Sequence, residues 1–205
     1  MKLEHKASKE EDDKRGTVKV VNGRYKPSGL FHFITANTPI KDEEGKLTGI
    51  TNPRDMTYIH SYGGEAVFFE GLGQGKLLAS RCDNADCPAN GSIFMPFRIH
   101  CPDCLAKNTV VDITDRAKAK AIVHSFMTTE RTGAFNTLPT PIKFVNVEFD
   151  GVCTILMGAL IRGEPALDMR VVPIFKTGNP DYIITDMLWV PADWPADDLP
   201  EGYTY

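Results

Sequence analysis

Four of the five cysteines in this chain fall in two short knuckles, Cys82-Asp-Asn-Ala-Asp-Cys87 and Cys101-Pro-Asp-Cys104, with thirteen residues between them. A tight turn with a cysteine at each end aims two sulfurs at one point, and two such turns supply the tetrahedron that Zn²⁺ accepts from thiolates. Cys82, Cys87, Cys101 and Cys104 are therefore read as the ligands of one zinc ion. Sulfur at all four positions leaves no place for an activated water, so the metal is expected to be structural. The competing reading is a pair of disulfides or unrelated buried thiols. His100, next to Cys101, is a ribbon residue in this scheme rather than a ligand, because four thiols are already present.

A metal staple needs a body to hold. The chain has 205 residues, enough for one or two domains with a real core, and its 42% apolar and 24% charged residues are those of a soluble globular protein. No run of about eighteen apolar residues occurs, so no membrane span is expected. The first fifteen residues carry charges without an apolar stretch and do not read as a secretory signal. Reduced, metal-holding cysteines then point to the cytoplasm. Net charge is −4, whereas a nucleic-acid binder usually shows a basic balance or stripe. Between Lys76 and Arg131, eight Lys or Arg face six Asp or Glu, a surplus of two and weak support for phosphate binding.

Along the chain, residues 1–16 alternate both signs of charge and read as a solvated leader. Thr17–Val21 and Leu30–Ile34 predict short strands around Asn22-Gly23, a hairpin signal. Thr38–Arg54, with its acidic Asp42-Glu43-Glu44-Gly45 and Asn52-Pro53, predicts mostly loop. Residues 1–60 thus form an extended arm with little core of its own. Glu65–Leu72 predicts a short helix on which Phe68, Phe69 and Leu72 share a face. Lys76–Arg81 and Ser92–Pro96 predict the two strands of a ribbon carrying the knuckles, and helix plus ribbon occupy 61–108.

After Cys104 the pattern predicts β-structure only. Ala117-Lys-Ala-Lys-Ala121 alternates and runs on to Phe126 as a first strand. Ile142–Phe149, Val152–Ile161, Arg170–Phe175 and Tyr182–Val190 follow, with Asp150-Gly151 and Gly178-Asn179-Pro180 as turns. Val152–Ile161 is apolar on both faces and should be central, with Cys153 inside it as a core thiol. Five strands with short turns predict an OB-fold barrel over 109–192. The fold class is therefore mainly β: arm and short helix, zinc ribbon, then a five-stranded barrel. The acidic tail 193–205 carries Trp194, Tyr203 and Tyr205, and reads either as a floppy terminus or as a docked segment that contacts a partner.

Phe68-Phe69-Glu70-Gly71-Leu72, Gly75-Lys76-Leu77, the four cysteines, and Met95-Pro96-Phe97-Arg98 ahead of Cys101-Pro102-Asp103-Cys104 resemble the DUF35 family over about residues 61–192. Two features differ: the first knuckle is longer by two residues, and Arg116-Ala117-Lys118-Ala119 stands where glycines commonly open the first barrel strand. The resemblance implies a rubredoxin-like zinc ribbon on an OB barrel, and a non-catalytic companion of a thiolase-superfamily subunit acting on acyl-CoA. The long arm resembles one subgroup in particular, small subunits in anaerobic toluene breakdown.

Three functions compete. A companion subunit would carry no catalytic residues, with coenzyme A or an acyl-CoA at the partner interface. Its phosphates could meet Arg81, Arg98, Lys107 and Arg116, although scattered surface cations look the same in sequence. A single-stranded nucleic-acid binder would need a basic, aromatic barrel face, for which Lys118, Lys120, Lys143, Phe126 and Phe144 are available. An enzyme in its own right would draw on His60, His100, His124, Asp112 or Asp115, but no two of these share a spacing that implies one site.

Overall fold

The computed structural model describes residues 16–29, 32–34, 38–51, 54–56, 65–130 and 138–205. The chain divides into two units, 1–60 and 61–205. In the first, β1 (Thr17–Val21) returns as β2 (Arg24–Ser28) through Asn22-Gly23. Both turn residues have positive φ, 51° and 71°, a geometry that matches strand twist and that Asn and Gly adopt cheaply. The return strand is therefore Arg24–Ser28 and not Leu30–Ile34. Of the latter, β3 (His32–Ile34) pairs with β6 (Arg54–Met56), and Leu30 and Phe31 lie outside the described residues.

Thr38–Arg54 is not mostly loop: β4 (Thr38–Lys41) and β5 (Leu47–Thr51) form a hairpin. The Asp42 carboxylate accepts the backbone N–H of Glu44 (3.1 Å) and Lys46 (2.8 Å), which folds the acidic run into a turn. β1, β2 and β4 are exposed along their whole length. Two-stranded hairpins are marginal alone in water, and residues 16–29 and 38–51 are all exposed or half-buried.

The second unit opens with α1 (Ala66–Gly73), whose Phe68 and Leu72 are buried, with Phe69 half-buried against the same cluster. β7 (Leu78–Arg81) lies between β8 (Ile93–Phe94) and β9 (Thr109–Asp112) in an antiparallel ribbon. β9 is a strand that the sequence reading did not separate from the barrel.

The larger correction is α2 (Thr114–Lys120), which replaces the strand expected from the Ala-Lys alternation, so the chain after Cys104 is not all β. Alanine and lysine are strong helix formers, and the Asp112 carboxylate accepts the Thr114 N–H at the first turn (2.9 Å). Ile113, Ala117 and Ala121, four residues apart, are buried, with Thr114 beside them. The helical period wins because it alone turns one side to the core.

β10 (Ala121–Thr129), β11 (Ile142–Phe149), β12 (Leu156–Leu160), β13 (Arg170–Lys176) and β14 (Met187–Pro191) close in the order β10-β11-β12-β14-β13, with β13 returning to β10. All neighbours are antiparallel except β12 and β14, which run parallel and meet where Leu160 faces Trp189. This is the OB-like barrel that the strand count predicts. β10 serves two neighbours by bending at a bulge between Val123 and Ser125, a usual device for closing a barrel.

Trp189, Phe175, Val145 and Leu156 fill the interior, and Leu77, Ile93 and Met95 of the ribbon join the same cluster. One core thus spans ribbon and barrel. The third strand begins at Leu156, not Val152, and Cys153 is exposed in the turn before it rather than buried as a core thiol. The fifth strand begins at Met187, not Tyr182, because a 3-10 turn, Ile184–Asp186, precedes it. The buried Asp186 carboxylate holds that turn by accepting the N–H of Asp181 (3.0 Å) and Ile183 (3.2 Å).

The tail docks on its own barrel. β15 (Tyr203–Thr204) pairs with β13. Trp194, Leu199 and Tyr203 pack on a second cluster, which holds Val172, Ile174, Leu188 and Val190. Among the described residues no helix is long and apolar enough to cross a membrane.

Candidate metal centre

β7 runs directly into the first knuckle. The Cys82 N–H donates to the Ser92 carbonyl (3.1 Å) and the Gly91 N–H returns to the Cys82 carbonyl (2.7 Å), so the knuckle closes a hairpin. Inside it the Cys87 N–H donates to the Asn84 carbonyl (3.0 Å), and the Asp86 N–H to the Asn84 side-chain oxygen (3.2 Å). Asn84 thereby organises the four residues between the cysteines. In the second knuckle the Cys101 N–H donates to the Ala106 carbonyl (2.9 Å) and the Leu105 N–H to the Cys101 carbonyl (3.1 Å). Leu105 reaches this geometry with φ 60°, a strained value for a branched side chain.

The four sulfurs lie within 4.8 Å of one another. Cys82 and Cys104 are 3.8 Å apart and Cys87 and Cys101 3.9 Å. A tetrahedral ion with metal–sulfur bonds of about 2.3 Å requires sulfur–sulfur edges of about 3.8 Å, a length that these two edges match. A disulfide would need about 2.05 Å, and all five cysteines are free. Cys82, Cys87 and Cys101 are buried and Cys104 half-buried, walled by Ala89 and Phe94.

Backbone N–H groups two residues downstream point at three of the sulfurs: Asn84 at Cys82, Ala89 at Cys87 (3.3 Å) and Ala106 at Cys104. Such donors favour thiolate over thiol. A hydrogen bond from the Asn84 side chain holds Cys104 down to about 6, whereas burial pushes Cys87 up to about 12. Asn84 thus braces both knuckles, a role that no spacing signal in the sequence announced.

No protein-family model matches the chain, and no curated protein matches it. Among solved structures, it is similar to a DUF35-family protein of unknown function from Sulfolobus solfataricus, with 26% identity, 56% of this chain and 81% of that one covered, and a TM-score of 0.42. It is also similar to the Ltp2-ChsH2(DUF35) aldolase, with 20% identity, 62% and 94% covered, and a TM-score of 0.46.

The other candidate residues of this chain do not gather at one place. Arg81 pairs with Asp83 (2.7 Å), and Arg98 and Lys107 are exposed on the ribbon. Arg116 lies on α2 and donates to the Asp150 carbonyl (3.3 Å), beside a Lys120–Asp150 pair (3.3 Å). Near them a groove of about 280 Å³ is lined by Lys120, Glu148, Asp150 and Arg170, with charges of both signs.

Of the possible acids and bases, the His100 ring contacts the Leu105 carbonyl (3.1 Å) and His124 on β10 pairs with Glu148 (3.2 Å). Asp112 caps α2, Asp115 lies in its first turn, and His60 lies outside the described residues. Lys118 and Lys120 sit on α2 and not on a strand, while Lys143 is engaged by Glu164 (2.5 Å) and the Gly163 carbonyl (2.8 Å). Phe144 is half-buried in the outer cluster and Phe126 is exposed. The lysine row of the nucleic-acid reading is therefore not a barrel face.

Proposed function

We propose that this chain is a non-catalytic zinc-ribbon and OB-fold subunit of a complex whose other subunit is a thiolase-superfamily enzyme acting on an acyl-CoA. The observation that carries the reading is a closed four-sulfur knot, fused through one core to a barrel, while the described candidate acids and bases lie apart, on the ribbon, on α2 and on β10. In this reading the ion is zinc, held by Cys82, Cys87, Cys101 and Cys104, and it supplies folding free energy rather than chemistry. The partner brings the nucleophilic cysteine. Cys153 of this chain is exposed, and its sulfur makes no hydrogen bond among the described residues.

The chain's task is to steady the partner and shape its acyl-CoA site, and the exposed hairpins of the first unit suit a segment that lies along another surface. The most specific form of the proposal follows the resemblance of the long arm: the small subunit of the benzylsuccinyl-CoA thiolase, serving benzoylsuccinyl-CoA thiolysis in anaerobic toluene breakdown, in the cytoplasm. Affinity purification of the tagged chain from its native cells, with mass spectrometry, sizing and metal analysis, tests it. One zinc per chain and a stoichiometric thiolase-like subunit are expected. An aldolase in that place, the activity in the name of the Ltp2-ChsH2(DUF35) structure, would keep the subunit role and replace the thiolase. A lone chain, or one carrying nucleic acid, would remove the proposal.

A further inference from the structure

We propose that Asn84 sets how tightly the centre keeps its ion, by donating its side-chain amide across the knuckles to the sulfur of Cys104. The proposal rests on the reading of the four cysteines as ligands of one divalent ion. Of the residues between Cys82 and Cys87, Asp83, Ala85 and Asp86 are exposed and Asn84 alone is half-buried. Its own bonds turn it inward. The Asn84 N–H points at the Cys82 sulfur, its carbonyl accepts the Cys87 N–H (3.0 Å), and its side-chain oxygen accepts the Asp86 N–H (3.2 Å). The NH₂ end, the only donor of the amide, then meets Cys104 on the opposite knuckle. One residue of the first knuckle thereby touches sulfurs of both.

A divalent ion with four thiolates is a dianion, and hydrogen bonds to its sulfurs stabilise it. The charges inside the knuckles oppose it. Asp83, Asp86 and Asp103 lie there, and no Lys or Arg stands between Cys82 and Cys87 or between Cys101 and Cys104. The cation next to the first knuckle, Arg81, is committed to Asp83 (2.7 Å). Neutral N–H donors therefore carry the stabilisation, and Cys104 is the sulfur with most need of them. It is the half-buried ligand beside three buried ones, so water and competing ligands reach it first. Ala106 supplies one donor from its own knuckle, and Asn84 supplies another from across the centre. The amide acts through Cys104 rather than on the ion, and ties the first knuckle to the sulfur most open to exchange.

Asn84→Asp and Asn84→Ala separate this role from that of a turn cap. Aspartate keeps an oxygen for the Asp86 N–H, but it has no donor and sets a carboxylate against the Cys104 thiolate. Alanine loses both ends of the amide without adding charge. A cap alone would leave the aspartate variant level with wild type and the alanine variant below it. The donor role reverses the two variants. Zinc affinity of the full-length chain, from competition with a chromophoric chelator at neutral pH, should fall about tenfold for alanine and about a hundredfold for aspartate. With cobalt(II) in place of zinc, the thiolate-to-metal charge-transfer band should move to lower energy in the same order, because a sulfur that loses a donor holds its electrons less firmly. A cap would leave that band in place. Tryptophan fluorescence checks that each variant keeps its barrel, and if the aspartate variant does not fold, the cobalt band of the alanine variant decides. An aspartate variant that binds zinc as tightly as wild type, or a band that moves in neither variant, would overturn the proposal alone. A wild-type chain that takes up neither ion would remove the reading of the four cysteines and the proposal with it.

Discussion

At the scale of single residues, the four cysteines are the positions with least freedom. Cys101 is fully buried, and its sulfur lies 3.9 Å from that of Cys87. Cys101→Ser replaces a strong thiolate ligand by a hydroxyl. On the proposed function the variant should fail to hold zinc, and its melting temperature should fall by about 10 °C or more, since metal binding at such sites contributes directly to folding. Metal analysis and a thermal melt check both.

The protonation of the knot sets a second expectation. Cys87, pushed up to about 12 by burial, holds its proton at neutral pH and must release it to the ion, whereas Cys104, held down to about 6 chiefly by the Asn84 side chain, is already a thiolate there. Zinc affinity should therefore rise by at least about tenfold per pH unit through neutrality, and fall more steeply below pH 6 as Cys104 also takes up a proton. Competition with a chromophoric chelator between pH 5.5 and 8 measures the slope, and a flat profile would contradict it. Elsewhere, a Cβ on Gly158 would lie 2.7 Å from Nε1 of Trp189, which is fully buried and has no room to retreat. Gly158→Ala should cost about 1–3 kcal/mol, read from the denaturation midpoint.

At the scale of elements, α2 shows what joins ribbon to barrel. The buried Leu77 N–H donates to the Thr114 hydroxyl (2.8 Å), which in turn donates to the Asp112 carboxylate (2.5 Å). Thr114→Val keeps the shape and orphans the Leu77 N–H, so chemical denaturation should show a loss of about 1–3 kcal/mol. The same element marks the limit of what the sequence discloses. The knuckles, α1, the ribbon strands β7 and β8 and the barrel's strand count were legible because cysteine spacing, the Phe68/Leu72 period and turn residues are local signals. α2 was misread because Ala117–Ala121 satisfies a two-residue period as well as a four-residue one, and only the core it packs against decides between them. The β4–β5 hairpin was missed because its turn depends on where the Asp42 side chain points. Cys153 looked buried because Val152 extends an apolar run, yet the Cys153 N–H is used by the Ile93 carbonyl (2.8 Å), which keeps the strand from starting before Leu156. Asn84 carried no pattern at all, since its role lies in contacts between two knuckles.

At the scale of the whole molecule, the question is how far the metal's influence reaches. The cysteines, Ala89 and Phe94 form a small cluster of their own. Leu77, Ala79, Ile93, Met95 and Phe97, the other side of the ribbon, belong to the large cluster that contains Val123, Val145, Phe175 and Trp189. The two clusters meet along β8, where Phe94 packs with the cysteines and Ile93 with the barrel core. Stripping the ion should therefore open the knuckles first, because it removes the bonds that tie the two turns together and their few apolar neighbours bury too little to hold them. The barrel should remain folded but weakened, since Ile93 and Met95 lose the backbone that positions them. Hydrogen exchange after chelator treatment should show fast loss of protection at Cys82, Gly91, Ser92 and Cys101, the amides bonded within each knuckle. The amides of β11 and β14, in the closed barrel, should stay protected with a lower global stability. If barrel and knuckle amides instead lost protection at one common rate, the shared core would outweigh the separation of the clusters, and the ion would be a staple for the entire second unit.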